Sequence, residues 1–412
     1  MIDDHAPTDR SVVDSLAALE PTVWLNPALP SADDALVALP LQRSDIEDAS
    51  RRLAKYAPLL AALFPDTVDG IVESPLTRAE RYGERNTLLL KHDNDLPIAG
   101  SVKARGGVYE VLCHAEEIAR EAAIADLASA AARALFSHHH IVVASTGNLG
   151  LSVGIAGRAF GFTVSVHMSR DARAWKKALL RSHGAEVVEH EGDYSAAVET
   201  ARARCADRLR AYFVDDETST RLFLGYSVAA LRLLPQLQEQ GVLPTRDRPL
   251  RVFLPCGVGG GPGGITFGLK HLLGDAVECF FVEPTHAPCC ALGFATGRGA
   301  GVSVADFGID GRTAADGLAV GRSSPLVMPM MEHLLDGACT VTDESLYQAM
   351  ERLWRLEGVK AEPSACAALA AIEPVRLAGT RTPCAELAWL TGGSLLPDDE
   401  FRTMLLQSGS SQ

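Results

Sequence analysis

The chain is poor in positive charge. Its 412 residues carry 38 Lys and Arg against 52 Asp and Glu, a net charge of −14. An acidic surface of that size repels nucleic acid and anionic membranes, so no nucleic-acid or membrane partner is expected. Lysine is scarce enough, at seven in the whole chain, that each one merits inspection. No Cys-x-x-Cys pair occurs among the nine cysteines, which argues against a zinc ribbon or a redox dithiol. The N-terminus, Met1-Ile2-Asp3-Asp4-His5, lacks the apolar stretch of a secretory signal, and no uncharged apolar run approaches ~18 residues. Reduced thiols and a cytoplasmic location are the resulting expectations. Glycine (36) and proline (22) are too few for a fibrous or low-complexity chain, and no internal repeat is visible. What is present is a globular composition, 47% hydrophobic and 22% charged, in a length suited to two domains or to one large α/β unit with an insertion.

Residues 1–72 read as helical and irregular, with apolar spacing over 46–63 that suits one buried helical face. Beyond them, short β-branched or aromatic runs at 87–91, 140–145, 163–167, 186–189, 212–214, 251–254, 278–282, 340–342 and 387–390 alternate with helix-length stretches. Helices are expected at 171–183, 194–209, 221–240 and 343–357, the last closed by Gly358. This alternation predicts an α/β fold with largely parallel sheets. Ligands in such folds sit where strand C-termini meet helix N-termini.

Four junctions of that kind carry unusual residues. The first, Pro97-Ile98-Ala99-Gly100-Ser101-Val102-Lys103-Ala104-Arg105-Gly106-Gly107, surrounds one lysine with small residues that leave room for a flat ligand. Lys103 there is either a Schiff-base nucleophile or an exposed helix-start lysine. The second, Ser145-Thr146-Gly147-Asn148, is a carboxylate cradle or an ordinary hydroxyl N-cap. The third, Pro255-Cys256-Gly257-Val258-Gly259-Gly260-Gly261-Pro262-Gly263-Gly264, accepts a large backbone-entropy cost, as a phosphate-wrapping loop would. It lacks the Gly-Lys-Ser/Thr ending of a Walker loop and fits a dinucleotide fingerprint only when that pattern is broken. The fourth, Thr391-Gly392-Gly393, offers a hydroxyl to a ring nitrogen or is a bare strand exit. A special lysine, a carboxylate cradle, a phosphate loop and a hydroxyl for a ring nitrogen together match pyridoxal 5′-phosphate and an amino-acid substrate. The run His138-His139-His140 reads as a polar strand start, since successive strand residues face opposite ways.

With these motifs the sequence resembles the fold type II (tryptophan synthase β-like) pyridoxal-phosphate enzymes, and among them the D-serine dehydratase (D-serine ammonia-lyase) family. The resemblance also runs through Thr22-Val23-Trp24-Leu25-Asn26-Pro27, His167-Met168-Ser169-Arg170-Asp171-Ala172-Arg173-Ala174-Trp175-Lys176-Lys177, Phe223-Leu224-Gly225-Tyr226-Ser227, Thr313-Ala314-Ala315-Asp316-Gly317 and Glu362-Pro363-Ser364-Ala365. L-Threonine deaminases and serine racemases are similar in plan but typically read Ser-Phe-Lys where this chain has Ser101-Val102-Lys103.

The resemblance implies a large cofactor-binding domain, 1–112 with 216–412, and a small domain, 113–215, with the cofactor in the cleft between them. Lys103 would hold pyridoxal phosphate, Asn148 its phenolic oxygen, Gly257, Val258, Gly259, Gly260 and Gly261 its phosphate, and Thr391 its pyridine nitrogen. Ser145, Thr146 and Gly147 would hold the substrate carboxylate. Lys103 is the first choice to take the α proton. Thr146 stands where racemases of this fold carry a serine, and Asp216 and Tyr226 are candidates to assist the leaving hydroxyl. Related racemases bind a divalent ion through a glutamate, an alanine carbonyl and an aspartate two residues later. Here Cys289 takes the last position, so K⁺ on Glu283 and the Ala287 carbonyl is expected instead; the alternative is that Glu283 pairs with a buried basic group. The implied reaction is β-elimination of D-serine to pyruvate and ammonia by a monomeric enzyme, with D-threonine to 2-oxobutanoate left open. The alternatives are another fold type II lyase acting on an L-hydroxy amino acid or 3-hydroxyaspartate, a non-catalytic pyridoxal-phosphate binder, and a nucleotide-binding oxidoreductase, which would leave Lys103 unexplained.

Overall fold

The computed structural model describes residues 9–83, 87–145, 147–191, 194–206 and 208–407. Eleven strands are found among them: β1 (Val23–Leu25), β2 (Leu76–Arg78), β3 (Leu88–Lys91), β4 (His140–Ala144), β5 (Thr163–Ser169), β6 (Glu186–His190), β7 (Ala211–Val214), β8 (Leu250–Pro255), β9 (Val277–Pro284), β10 (Gly337–Val341) and β11 (Ala385–Trp389). They form a seven-stranded sheet, β1-β10-β9-β8-β11-β3-β2, and a four-stranded sheet, β6-β5-β4-β7. In the larger sheet β1 and β2 run antiparallel at the two edges and the strands between them are parallel. The smaller sheet is parallel throughout. Every residue of β4, β8, β9, β10 and β11 is buried, because helices cover both faces of a parallel sheet. That is why these strands read as largely apolar, with Arg251, Glu278, Glu283 and Glu386 as buried exceptions.

All nine expected runs are strands, with ends displaced by a few residues. The reading of 1–72 as helical and irregular is corrected by β1, which pairs Val23 with Cys339 and Trp24 with Ala338. A three-residue strand is too short to show a period, and Trp24 is held instead by stacking on Phe294 at 5.1 Å. The apolar face over 46–63 is split between two helices, Arg43–Lys55 and Ala57–Leu63, where Pro58 opens the second. The helix Asp343–Glu357 ends on Gly358 in the left-handed region, φ +69°. The histidine run is indeed a strand start: His140 is buried between Thr163 Oγ1 and Ser165 Oγ, each at 2.8 Å. None of the described helices is long and apolar enough to cross a membrane.

Three helices approach one another nearly backbone to backbone beside the larger sheet. These are Lys103–Glu121, Thr220–Glu239 and Gly260–Leu273. A Cβ on Gly264 would lie 2.4 Å from the Phe223 carbonyl, and one on Gly106 would lie 2.5 Å from Tyr226 Cζ. Glycine is therefore required by close approach, and part of the glycine richness of these segments is packing.

A buried ionic cluster fixes the start of the first of these helices. The Arg105 guanidinium donates to both oxygens of Asp93 at 2.7 Å and to Glu73, Lys91 Nζ donates to Glu73 at 2.7 Å, and Trp389 Nε1 donates to Asp93 at 2.8 Å. Charges this deep are tolerable only when paired so completely. The cluster ties β3, β11 and the lysine-bearing helix into one rigid unit.

Candidate active site

Lys103 and Thr391 are brought together by the backbone. Val102 N–H donates to the Thr391 carbonyl at 2.8 Å, and Ser101 bridges Gly392 in antiparallel fashion. Both open onto a cleft at the C-terminal ends of β3, β4, β8 and β11. The same cleft is lined by Ser145, Gly147, Asn148, Asp216, Gly257 and Val258. Motifs separated by up to 290 residues thus converge on one space.

Two helices point uncapped N-termini into this cleft. The helix Gly260–Leu273 begins after Gly259, at φ +109°, and the helix Asn148–Phe160 begins after Gly147; neither has a side-chain cap. Elsewhere Ser31, Ser129, Ser219 and Thr342 perform that task with their hydroxyls. Uncapped N–H groups in a cleft are free for anions, and the helix dipole favours them. Gly260 and Gly261 form the first turn, and a Cβ on Gly261 would stand 3.7 Å from Lys103 Nζ. At Gly147 a Cβ would meet nothing within 4 Å, so the backbone there faces open space. Thr146 lies outside the described residues.

Asp216 and Tyr226 flank the lysine. Lys103 Nζ lies 5.5 Å from the Tyr226 ring centroid. The Tyr226 hydroxyl and Asp216 Oδ1 are both buried without a hydrogen-bond partner. Orphaned polar atoms are costly, and their persistence beside an amine marks a place for a polar ligand. Burial pushes the Asp216 carboxyl above the ordinary range, partly opposed by the Lys103 ammonium. Burial likewise holds the Tyr226 phenol well above its usual value.

On the opposite wall, Glu362 and Asp316 were not assigned roles from the sequence. Asn148 Nδ2 donates to Glu362 Oε1 at 2.8 Å, and Gly392 is packed so closely that a Cβ would lie 2.4 Å from that oxygen. Asp316 also lines the cleft and receives the buried Lys176 ammonium at 3.0 Å. Lys176 was one of only seven lysines, and that scarcity was the signal available for it.

Glu283 and Ala287 stand apart from the cleft lining. The Glu283 carboxylate accepts the Cys290 and Ala291 N–H groups, both at 2.8 Å. It therefore has backbone partners and no buried basic one. Burial pushes it up to about 7, with those two N–H groups pulling the other way. The thiols of Cys256, Cys289 and Cys290 surround the Gly257 carbonyl at 3.6, 3.5 and 3.9 Å. Burial holds the Cys256 thiol up at about 11.

The cleft meets the needs of pyridoxal phosphate on three observations. A lysine stands beside it, an uncapped glycine-rich helix start faces it, and two orphaned polar atoms lie next to the amine. Such a cleft between parallel-sheet units defines a fold type II pyridoxal-phosphate enzyme. The family model described as "Pyridoxal-phosphate dependent enzyme" matches residues 68–383, and the chain belongs to that family. It is 49% identical over 431 residues to a Pseudomonas putida protein named "Probable D-serine dehydratase", covering 97% of this chain and 96% of that one. It is 47% identical over 429 residues to an Escherichia coli protein named "D-serine dehydratase", covering 97% of each. Among solved structures, holo diaminopropionate ammonia lyase from Escherichia coli matches with a TM-score of 0.73 at 18% identity, over 95% of this chain and 97% of that one. The last likeness is one of fold.

Proposed function

We propose that this protein is an ammonia-lyase that converts D-serine to pyruvate and ammonia in the cytoplasm, acting as a monomer, with D-threonine as a second substrate giving 2-oxobutanoate. The observation that carries the reading is the meeting of Lys103, Asp216 and two uncapped helix N-termini in one cleft, with the orphaned Tyr226 hydroxyl buried beside the lysine. The near-full-length similarity to proteins named D-serine dehydratase supports the choice of substrate. Residues 113–215 would form the small domain and the remainder the large one.

In this reading Lys103 holds the aldehyde end of pyridoxal phosphate. The first-turn N–H groups over Gly257, Val258, Gly259, Gly260 and Gly261 take its phosphate, Asn148 its phenolic oxygen and Thr391 its pyridine nitrogen. When bound, the cofactor supplies an electron sink for charge developing at the substrate α-carbon. The chain's own groups do the rest. Ser145, Thr146 and Gly147 orient the substrate carboxylate at the second uncapped helix. The Lys103 amine takes the α proton. The Asp216 carboxyl, whose pKa burial raises, delivers a proton to the departing β-hydroxyl with the Tyr226 phenol beside it. Water leaves in the elimination and one water is consumed in releasing ammonia, so the atoms of D-serine are accounted for. K⁺ on Glu283 and the Ala287 carbonyl would sit beside the glycine loop, whose Gly257 carbonyl is met by the neighbouring Cys289 and Cys290 thiols.

Borohydride reduction of the pyridoxal-phosphate-loaded protein, followed by peptide mapping, tests the site. The reading expects the label on the peptide containing Lys103; a label elsewhere, or none, would sink it.

A further inference from the structure

Two side-chain contacts cross the cleft wall opposite the glycine loop, each from the segment bearing the four-stranded sheet to the segment bearing the seven-stranded one. One is Asn148 Nδ2 to Glu362 Oε1 at 2.8 Å, and the other is Lys176 Nζ to Asp316 Oδ2 at 3.0 Å. The Lys176 side chain is 1% exposed. A buried ammonium is costly unless compensated, and Asp316, which is 37% exposed, is a half-solvated partner. Glu362 makes no direct ion pair with Lys176 among the described residues, but its carboxyl lines the same wall and lies within reach of that ammonium's field. The groups facing Glu362 are Lys176 from the helix Ala174–Ser182, Asp316, Asn148, Lys103 and, on its own helix, Cys366. Arg173 lies 3.9 Å from Asp316.

Hydrogen-bond chemistry gives this arrangement a consequence. An ionised carboxylate only accepts, so Asn148 must turn its NH₂ group to Glu362, as observed. The second N–H of that amide is then left as a donor for a ligand oxygen. A protonated Glu362 could donate instead, and Asn148 could then turn its carbonyl to Glu362. Asn148 lines the cleft, so its orientation decides whether an oxygen there meets a donor or an acceptor.

We propose that Lys176 is a positioning residue for the cofactor: its buried ammonium keeps Glu362 ionised and thereby holds Asn148 as a hydrogen-bond donor toward the phenolic oxygen of pyridoxal phosphate. The inference rests on the cofactor site given under Proposed function. Burial pushes the Glu362 carboxyl upward and Asp316 adds to this, while Lys176 is the largest opposing influence. Without Lys176, therefore, Glu362 takes up its proton at higher pH.

The test is the visible absorbance of the bound cofactor, followed against pH in the holoenzyme and in Lys176→Met, Lys176→Arg, Glu362→Gln and Lys176→Met/Glu362→Gln variants, with the cofactor dissociation constant measured alongside. Lys176→Met is expected to move the absorbance titration up by at least about one pH unit and to weaken cofactor binding about tenfold. Lys176→Arg should titrate as the parent does. In the Glu362→Gln background, where nothing ionises at that position, no such titration should remain, and removing Lys176 should leave cofactor affinity as it is in Glu362→Gln alone. A purely structural role predicts otherwise, because loss of packing or of the Asp316 ion pair would weaken binding equally in both backgrounds without moving a titration. An unmoved titration in Lys176→Met, or an equal effect in the Glu362→Gln background, overturns the proposal. Should Lys176→Met fail to fold, Glu362→Gln carries the test alone: it must abolish the titration, and an unchanged titration refutes the idea. Absence of cofactor on Lys103 in the parent protein would instead defeat the site reading itself.

Discussion

Gly392 offers a sharp test of the cleft geometry, because its surroundings leave no room for one methyl group. A Cβ there would lie 2.4 Å from Glu362 Oε1 and 2.9 Å from Asn148 Nδ2, whereas ordinary contact begins at 3.4 Å. The backbone of Gly392 is not in the left-handed region, so Gly392→Ala is a steric perturbation and not a conformational one. Something must move by about 1 Å. Glu362 cannot retreat freely, since its backbone N–H is bound to the Gly392 carbonyl at 3.0 Å and its side chain is buried at the start of the helix Pro363–Ala370. The hydrogen bond from Asn148 is therefore the contact that yields. A bond to a charged acceptor is worth about 1.5–3 kcal/mol, or about 10- to 100-fold in an equilibrium. A misplacement of about 1 Å at a reacting centre costs a similar factor in rate. We expect Gly392→Ala to weaken cofactor binding by about 10- to 100-fold and to lower kcat by a similar factor, measured by cofactor titration and pyruvate release. Gly147→Ala is the control. Its Cβ meets nothing within 4 Å, so the fold should be untouched while the substrate KM rises. Wild-type cofactor affinity and turnover in Gly392→Ala would refute the reasoning.

Three further outcomes follow from named groups. Tyr226→Phe removes a buried hydroxyl that has no partner, a group that costs about 1–3 kcal/mol to leave unsatisfied. The variant apoprotein should therefore unfold at no lower denaturant concentration, while turnover of D-serine falls at least about tenfold; a loss of stability would contradict the orphan assignment. Gly259→Ala places a side chain at φ +109°, a strain of about 1–2 kcal/mol, and pyridoxal phosphate should bind about 5- to 30-fold more weakly by fluorescence titration. Asp216 has a folded-state pKa above its unfolded value of about 3.9, so its contribution to stability is complete below that pH and is lost as pH rises through the folded value. Asp216→Asn cannot ionise, so denaturation curves of the apoprotein across that interval should show a smaller decline with pH than wild type; parallel declines would refute the assignment.

The fully buried strands were the plainest in the sequence, although the partly exposed β6 and β7 were legible as well. β8 and β9 advertise themselves because both faces are covered, and the glycine loop between β8 and the next helix stands out for the same local reason. The motifs around Lys103, Asn148, Gly257 and Thr391 were legible because each lies at a strand-to-helix junction. What escaped was set by distant pairing. β1 exists because β10 accepts it, and three residues carry no period of their own. Asp316 and Glu362 lie 140 and 186 residues beyond Lys176, and no local pattern announces that the three meet. Gly106 and Gly264 could have been taken for flexibility or phosphate contact, yet both admit neighbouring helices.

The central claim is chemical, and one comparison addresses it directly: pyruvate release by the purified, pyridoxal-phosphate-loaded protein given D-serine and L-serine in parallel, in potassium buffer. The account predicts rapid release from D-serine and little from L-serine, both lost in Lys103→Ala. Release from L-serine alone, from neither substrate, or from D-serine undiminished in Lys103→Ala would contradict it.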